Sequence, residues 1–233
     1  MSNGNAWYQR TPLSGDVDFT MMYIAHDAFT RDLQRMARAA ERGQALTPGT
    51  LAGWAMLTKQ LHIHHTTEDT SLWPKLRAAV SAPAETAILD AMEAEHGQIE
   101  PQLERVDAAI AARDETGLAD SIHALAADLT AHMRHEETEA LPLIARHLGP
   151  AGWAEFGQDI RKTQGGLRGG AEYLPWVLDD APPTAGARVL RLIPAPARLL
   201  YRLVWAPKYH RTPRWDTTPT PAAAAESRPN GDR

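Results

Sequence analysis

The sequence predicts an all-α protein: an up-and-down antiparallel four-helix bundle, followed by a helical extension and a disordered tail. Three observations predict it. Alanine is plentiful and aromatic residues make up only 6% of the chain, a composition that favours helix over sheet. Four long amphipathic stretches fill residues 16–148, and their connections are so short that consecutive helices must be antiparallel neighbours. The same four stretches also repeat histidine and glutamate at helical spacing.

The first stretch runs from Asp16 to Arg42, after an N-terminal segment of residues 1–15. The second opens at Thr47-Pro48, an N-cap followed by proline at the first helical position, and runs to Val80. Ser81-Ala82-Pro83-Ala84 reads as a turn. The third stretch covers Glu85 to Arg113 and the fourth Thr116 to His147, stopping at Gly149-Pro150. A helix of ~27 residues is ~40 Å long, enough for four of them to bury a continuous core. Shorter helices are expected within 149–180: Ala151 to Lys162, then Ala171 to Leu178, with Gly165-Gly166 and Gly169-Gly170 breaking the pattern between them. Pro74 and Pro142 are expected to end or kink their helices.

Charge divides the chain. Residues 1–180 carry 15 basic and 26 acidic side chains, a net −11. Residues 181–215 carry seven basic side chains and no acid, and Arg188, Arg191, Arg198 and Arg202 fall on one helical face there. This basic amphipathic segment has two readings. It either folds back over the acidic bundle, the favoured one, or lies on an anionic membrane surface. Residues 216–233 are rich in Thr, Pro, Ala, Ser and Gly and read as a disordered tail. A nucleic-acid-binding domain would be basic throughout, so nucleic acid is not an expected partner.

The chain has no cysteine, which excludes disulfides, iron–sulfur clusters and thiolate zinc sites. No run of about 18 apolar residues is present to span a membrane. Residues 1–15 contain no apolar core of a secretory signal, so the expected location is the cytoplasm.

The candidate site comes from the repeat. Helix 2 holds His64-x-x-x-Glu68-Asp69 with Pro74 ten residues after the histidine; helix 4 holds His132-x-x-x-Glu136-Glu137 with Pro142 at the same offset. Helices 1 and 3 each supply one central histidine, His26 and His96. The separation from His26 to His96 is 70 residues, and those from His64 to His132 and Glu68 to Glu136 are 68. The chain is thus two copies of one helical hairpin. Residues four apart on a helix share a face, with Cβ atoms about 5–6 Å apart. Four imidazoles and two carboxylates can therefore converge on the bundle axis, a set that suits two metal ions. If two histidines go to each ion and Glu68 and Glu136 bridge, an oxide or hydroxide bridge makes each ion five-coordinate. Mixed nitrogen and oxygen donors at that number suit iron, or manganese, better than tetrahedral zinc.

These residues carry a family resemblance. His26-Asp27, His62-Ile63-His64-His65-Thr66-Thr67-Glu68-Asp69 with Leu72-Trp73-Pro74, Glu95-His96, and His132-Met133-Arg134-His135-Glu136-Glu137 with Leu141-Pro142 resemble the hemerythrin-like HHE cation-binding family over residues 16–148. The resemblance implies an up-and-down four-helix bundle with a non-haem di-iron centre. Carried over residue by residue, its ligands are His26, His64, Glu68, His96, His132 and Glu136.

Oxygen-carrying hemerythrins have a second histidine four residues after the helix 3 ligand, where this chain has Glu100. They place the helix 4 carboxylate five residues after its histidine, where this chain has Glu137. A residue at +5 points about 140° away on a straight helix and one at +4 about 40°, which favours Glu136. Glu100 is a candidate seventh ligand, set against a solvated side chain. A carboxylate in place of an imidazole makes the site harder and more ferric, which argues against reversible oxygen carriage. The expected function is binding or redox processing of oxygen, peroxide or nitric oxide at an open iron position, with catalase-like peroxide disproportionation among the candidate activities. The alternative is an iron- or oxygen-responsive module that signals through the C-terminal extension. His62, His65 and His135 flank the ligands, and His65, about 100° around the helix from His64, is expected at the surface or behind the ligands. Tyr23 is expected to pack in the core.

Overall fold

A computed structural model of the chain describes Leu13 and residues 15–215. The disordered tail expected at 216–233, and nearly all of the N-terminal segment, lie outside the described residues. The described residues form an all-α, hemerythrin-like bundle.

Helix α1 (Thr20–Glu41) starts where the Asp18 carboxylate accepts from the Thr20 backbone N–H at 2.9 Å. Helix α2 begins at Pro48–Thr67 and opens on the expected cap, with the Thr47 hydroxyl accepting from Thr50 N–H at 3.3 Å. It does not end at Pro74. It passes through a π-turn, Glu68–Leu72, and continues as Trp73–Ala79. Helix α3 (Pro83–Ala112) starts two residues earlier than expected because Pro83 serves as its first turn rather than as part of the preceding loop. Helix α4 starts at Glu115–His135, capped by Asp114 on Gly117 N–H at 3.0 Å. It likewise continues past Pro142, through the π-turn Glu136–Ala140 into Leu141–His147.

Neither proline ends its helix, and the physical reason is the same for both. A proline lacks the N–H for an i→i−4 bond and its ring clashes with that carbonyl. Widening one turn removes the conflict: Trp73 N–H donates to Glu68 O and Leu141 N–H to Glu136 O, each five residues back. Each π-turn therefore begins at a repeated glutamate and ends just before its proline.

Two apolar cores lie along the bundle. The first gathers Phe29, Leu33, Leu57, Leu61, Ile99, Leu103, Leu125 and Leu129. The second gathers Phe19, Met22, Leu72, Trp73, Leu89, Met92, Leu141 and Ile144. In sequence, His26, His64/Glu68, His96 and His132/Glu136 each fall between a residue of one core and a residue of the other. The polar residues therefore form one layer with apolar packing on both sides. Helices α1 and α3 run from the second core to the first; α2 and α4 run the opposite way.

Four more helices follow: α5 (Gly149–Thr163), α6 (Gly166–Val177), α7 (Pro183–Leu192) and α8, which begins at Ala195–Leu200 and continues through a third π-turn, Tyr201–Trp205, into Ala206–His210. Only the first glycine pair breaks the chain here, with φ of 86° at Gly165 and 62° at Gly166. Gly169 lies inside α6, where a Cβ would sit 1.5 Å from the Gln164 carbonyl oxygen, so glycine is what lets the helix start so close to α5. The extension packs on the first core through Leu174, Trp176, Val177, Val189 and Tyr209. Trp176 donates its indole N–H to Asp32 at 2.8 Å, and Arg31 donates to the backbone carbonyls of Trp176 and Asp179 at 3.0 and 2.6 Å. At its end Trp215 N–H donates to Gly49 O at 2.9 Å.

Candidate metal centre

Each of the six carried-over residues is buried: His26, His64, Glu68, His96, His132 and Glu136. The layer resolves into two groups whose donor atoms lie close enough to hold a cation, His26 with His64 and Glu136, and His65 with His96 and His132. Glu68 joins them: one of its oxygens is 3.2 Å from His64 Nε2 and the other 3.7 Å from His96 Nε2. Glu136 lies 3.1 Å from His26 Nε2. These positions follow from the i, i+4 spacing on α2 and α4 and from the single inward histidines of α1 and α3.

His65 lies inside the layer rather than at the surface. It is 8% exposed, its ring stacks on His96 with centroids 4.0 Å apart, and it meets His132 edge-on at 5.4 Å. The step of about 100° between His64 and His65 turns the two imidazoles to opposite partners, His64 to His26 of α1 and His65 to His96 of α3. The signal was available. His65 is four residues after Leu61 and three before Glu68, on the same buried stripe. In the second hairpin the matching position, 68 residues on, is Met133, so the repeat's symmetry breaks here. Glu100 belongs to neither group and is exposed. The inward stripe of α3 runs Leu89, Met92, His96, Ile99, Leu103, Val106, and Glu100 flanks it. With His65 inside and Glu100 outside, the carboxylate-for-imidazole exchange does not describe this site, and neither does the hardness argument built on it.

Behind the cluster, three carboxylates hold imidazole protons. His26 donates from Nδ1 to Glu137 at 2.9 Å, His96 from Nδ1 to Asp69 at 2.8 Å, and His132 from Nδ1 to Glu95 at 2.8 Å. Glu95 also accepts from His135 at 2.7 Å. The arrangement is reciprocal. Asp69 follows Glu68 in the first hairpin and holds the lone histidine of the second; Glu137 follows Glu136 in the second and holds the lone histidine of the first. The +5 residue that points away from the cluster thus reaches behind a clustered imidazole of the other hairpin. His62 is exposed, and Tyr23 is half-buried against the second core.

The electrostatics test whether a cation fits. With Nδ1 protonated on His96 and His132, both Nε2 atoms present lone pairs, and they lie 3.0 Å apart. Two lone pairs at that distance repel, yet about 3.0 Å is the spacing of adjacent nitrogens bound at about 2.1 Å to one ion. His26 Nε2, His64 Nε2, His65 Nε2 and both oxygens of Glu68 and of Glu136 are buried without hydrogen-bond partners. Such a concentration is costly unless a charge compensates it. Without a cation, burial and the neighbouring Glu136 push the Glu68 carboxyl well above its usual range. Burial pulls His26 down, but Glu136 and Glu137 outweigh it and raise the imidazole to about 9. Burial and neighbouring imidazoles hold His64 and His65 well below theirs. The donor set fits bound metal.

Buried imidazoles and carboxylates layered inside a helical bundle define a cation-binding protein. A family model, the hemerythrin HHE cation-binding domain, matches residues 17–144, more than half of the chain, and the chain belongs to that family. No curated protein and no solved structure matches it.

Proposed function

We propose that the chain is a non-haem di-iron protein that binds or redox-processes a small oxidant, oxygen, peroxide or nitric oxide, at an open iron position. The observation that carries this reading is the pair of three-residue groups joined through Glu68. Five imidazoles and two carboxylates are more donors than one ion takes and more than tetrahedral zinc accepts. Mixed nitrogen and oxygen donors suit iron, and manganese fits the same set. His65, His96 and His132 would hold one ion and His26 and His64 the other, with Glu68 and Glu136 shared. Iron, when bound, supplies the Lewis acidity and electron storage that these side chains lack.

The chain's own residues supply the rest. The His26/His64 side has two imidazoles where the other has three, so it is the side with room for an exogenous ligand. Asp69, Glu95 and Glu137 fix each partner imidazole in the tautomer that points Nε2 inward. The apolar cores on either side keep bulk water out and strengthen every interaction within the layer.

Metal analysis and an ultraviolet–visible spectrum of the purified protein test the centre. About two irons per chain with ligand-to-iron charge-transfer bands are expected; substoichiometric iron with no such bands would remove it. Oxygen release on adding peroxide tests turnover, and a rate no greater than that of free ferric ion removes the disproportionation activity.

A second reading, an iron- or oxygen-responsive module without turnover, draws on one contact path. Phe29 lies 5.3 Å from the His64 ring and 5.2 Å from the ring of Trp176, the residue that anchors the extension. This reading predicts that removing or reducing the iron alters Trp176 fluorescence and the protease sensitivity of residues 181–215.

A further inference from the structure

The C-terminal extension has two apolar faces, and the bundle covers one. Val189 and Tyr209 are buried in the first core, and Ile193, Tyr201 and Trp205 pack partly against it. The other face carries Leu192, Leu199, Leu200, Leu203 and Val204, which remain between 38% and 69% exposed. On α8 these residues form two i, i+4 pairs side by side, Leu199 with Leu203 and Leu200 with Val204. Scattered exposed leucines are ordinary; five within thirteen residues of one face are not.

Beside this face, where α7 meets α8, a cleft of about 470 Å³ is lined by Leu178, Leu190, Arg191, Arg198, Tyr201 and Arg202 among others. Among the described residues, no carboxylate pairs with Arg191, Arg198 or Arg202, and residues 181–215 contain no acid at all. Three guanidinium groups around one apolar-floored cleft match a phosphate, which they recognise through forked N–H donors.

We propose that this face docks the protein onto anionic phospholipid bilayers. Lipid headgroup phosphate sits among Arg191, Arg198 and Arg202, and Leu199, Leu200, Leu203 and Val204 enter the acyl boundary. A bilayer surface offers the two chemistries in the order the helix presents them, anionic groups beside an apolar interior. Nucleic acid would satisfy the arginines and leave the leucines in water. No helix among the described residues is long and apolar enough to cross a membrane, so the attachment is to the surface. The bundle holds the segment from its inner side, so the face is formed before it meets lipid.

Co-sedimentation of the full iron-loaded chain with phosphatidylcholine vesicles, with and without phosphatidylglycerol, tests this. Binding is expected only to the anionic vesicles, weakening as salt rises. Leu199→Glu with Leu203→Glu should abolish it, and Arg198→Gln with Arg202→Gln should weaken it roughly tenfold or more; Leu199, Leu203 and Arg202 are exposed and Arg198 is half-buried in the cleft, and both pairs should leave iron content and helicity unchanged. Equal absence of binding to both vesicles overturns the proposal. So does a concentration-dependent dimer that Leu203→Glu dissociates, which would assign the face to a second copy. Saturable binding of inorganic phosphate at the three arginines, with no vesicle affinity, would assign the cleft to a free anion and overturn it as well.

Discussion

His26 and Glu137 lie 111 residues apart in sequence and 2.9 Å apart in space, an Nδ1–H held by a carboxylate across the seam between two repeated hairpins. Asp69 does the same for His96 at 2.8 Å. Neither acid belongs to the cluster, yet each fixes which nitrogen of a clustered imidazole faces inward. Glu137→Gln keeps the shape and removes the charge. Chelator competition should show a loss of iron affinity of about tenfold to hundredfold, with Asp69→Asn behaving alike. Unchanged affinity in both variants would mean that packing alone orients the imidazoles.

His65 and Glu100 give opposite predictions. His65→Ala removes a buried imidazole from one three-histidine group, so iron content or affinity should fall and the absorption spectrum should shift. Glu100→Gln alters an exposed side chain and should leave iron content and spectrum as they are. If Glu100→Gln released iron and His65→Ala retained it, the assignment of the third imidazole would be reversed.

Loading the site should release protons. Without metal, His26 titrates at about 9 because Glu136 and Glu137 favour its charged form, so at pH 7 it carries a proton on each nitrogen. Glu68 is also shifted upward, by burial and by Glu136. His26 must give up its Nε2 proton to donate a lone pair inward, and the upward shift of Glu68 acts in the same direction. The sign is therefore fixed: binding releases protons, affinity falls as pH falls, and acid strips the metal. A pH-indicator dye in weakly buffered solution at pH 7 should acidify on addition of ferrous iron, and a pH-independent affinity between pH 5 and pH 8 would contradict the assignment.

Much of this was legible in the sequence, and the failures share a cause. The i, i+4 pairs His64/Glu68 and His132/Glu136 place donors by helix geometry alone, and the repeat offsets bring the hairpins together. That His65 turns inward rather than to the surface was not legible from its angle to His64 alone, because α2 faces two neighbours, α1 and α3. Glu100 takes the solvated alternative, because 40° from His96 already lies past the edge of the inward stripe on α3. That both helices continue past their prolines was not legible, because a π-turn, which costs one wider turn rather than a helix end, has no residue signature beyond the proline itself. The docking of the extension rests on Arg31, Asp32 and Trp176, polar groups whose pairing spans about 145 residues and leaves no periodic trace.

That last network yields a stability prediction. Asp32 is fully buried and accepts from Arg31 Nε at 2.7 Å, Arg35 Nη1 at 3.1 Å and Trp176 Nε1 at 2.8 Å. Asp32→Ala leaves the Arg31 guanidinium, itself only 4% exposed, with its carbonyl partners but without this carboxylate, and breaking a buried ion pair in this way costs about 3–5 kcal/mol. For a chain of this size the melting temperature should drop on the order of 10 °C. Asp32→Asn, which keeps one acceptor oxygen and the volume, should lose less. Because Asp32 sits six residues beyond His26 on α1, iron bound at low temperature should persist in both variants while thermal stability falls. An unchanged melting temperature in Asp32→Ala would show that water reaches the network and screens it.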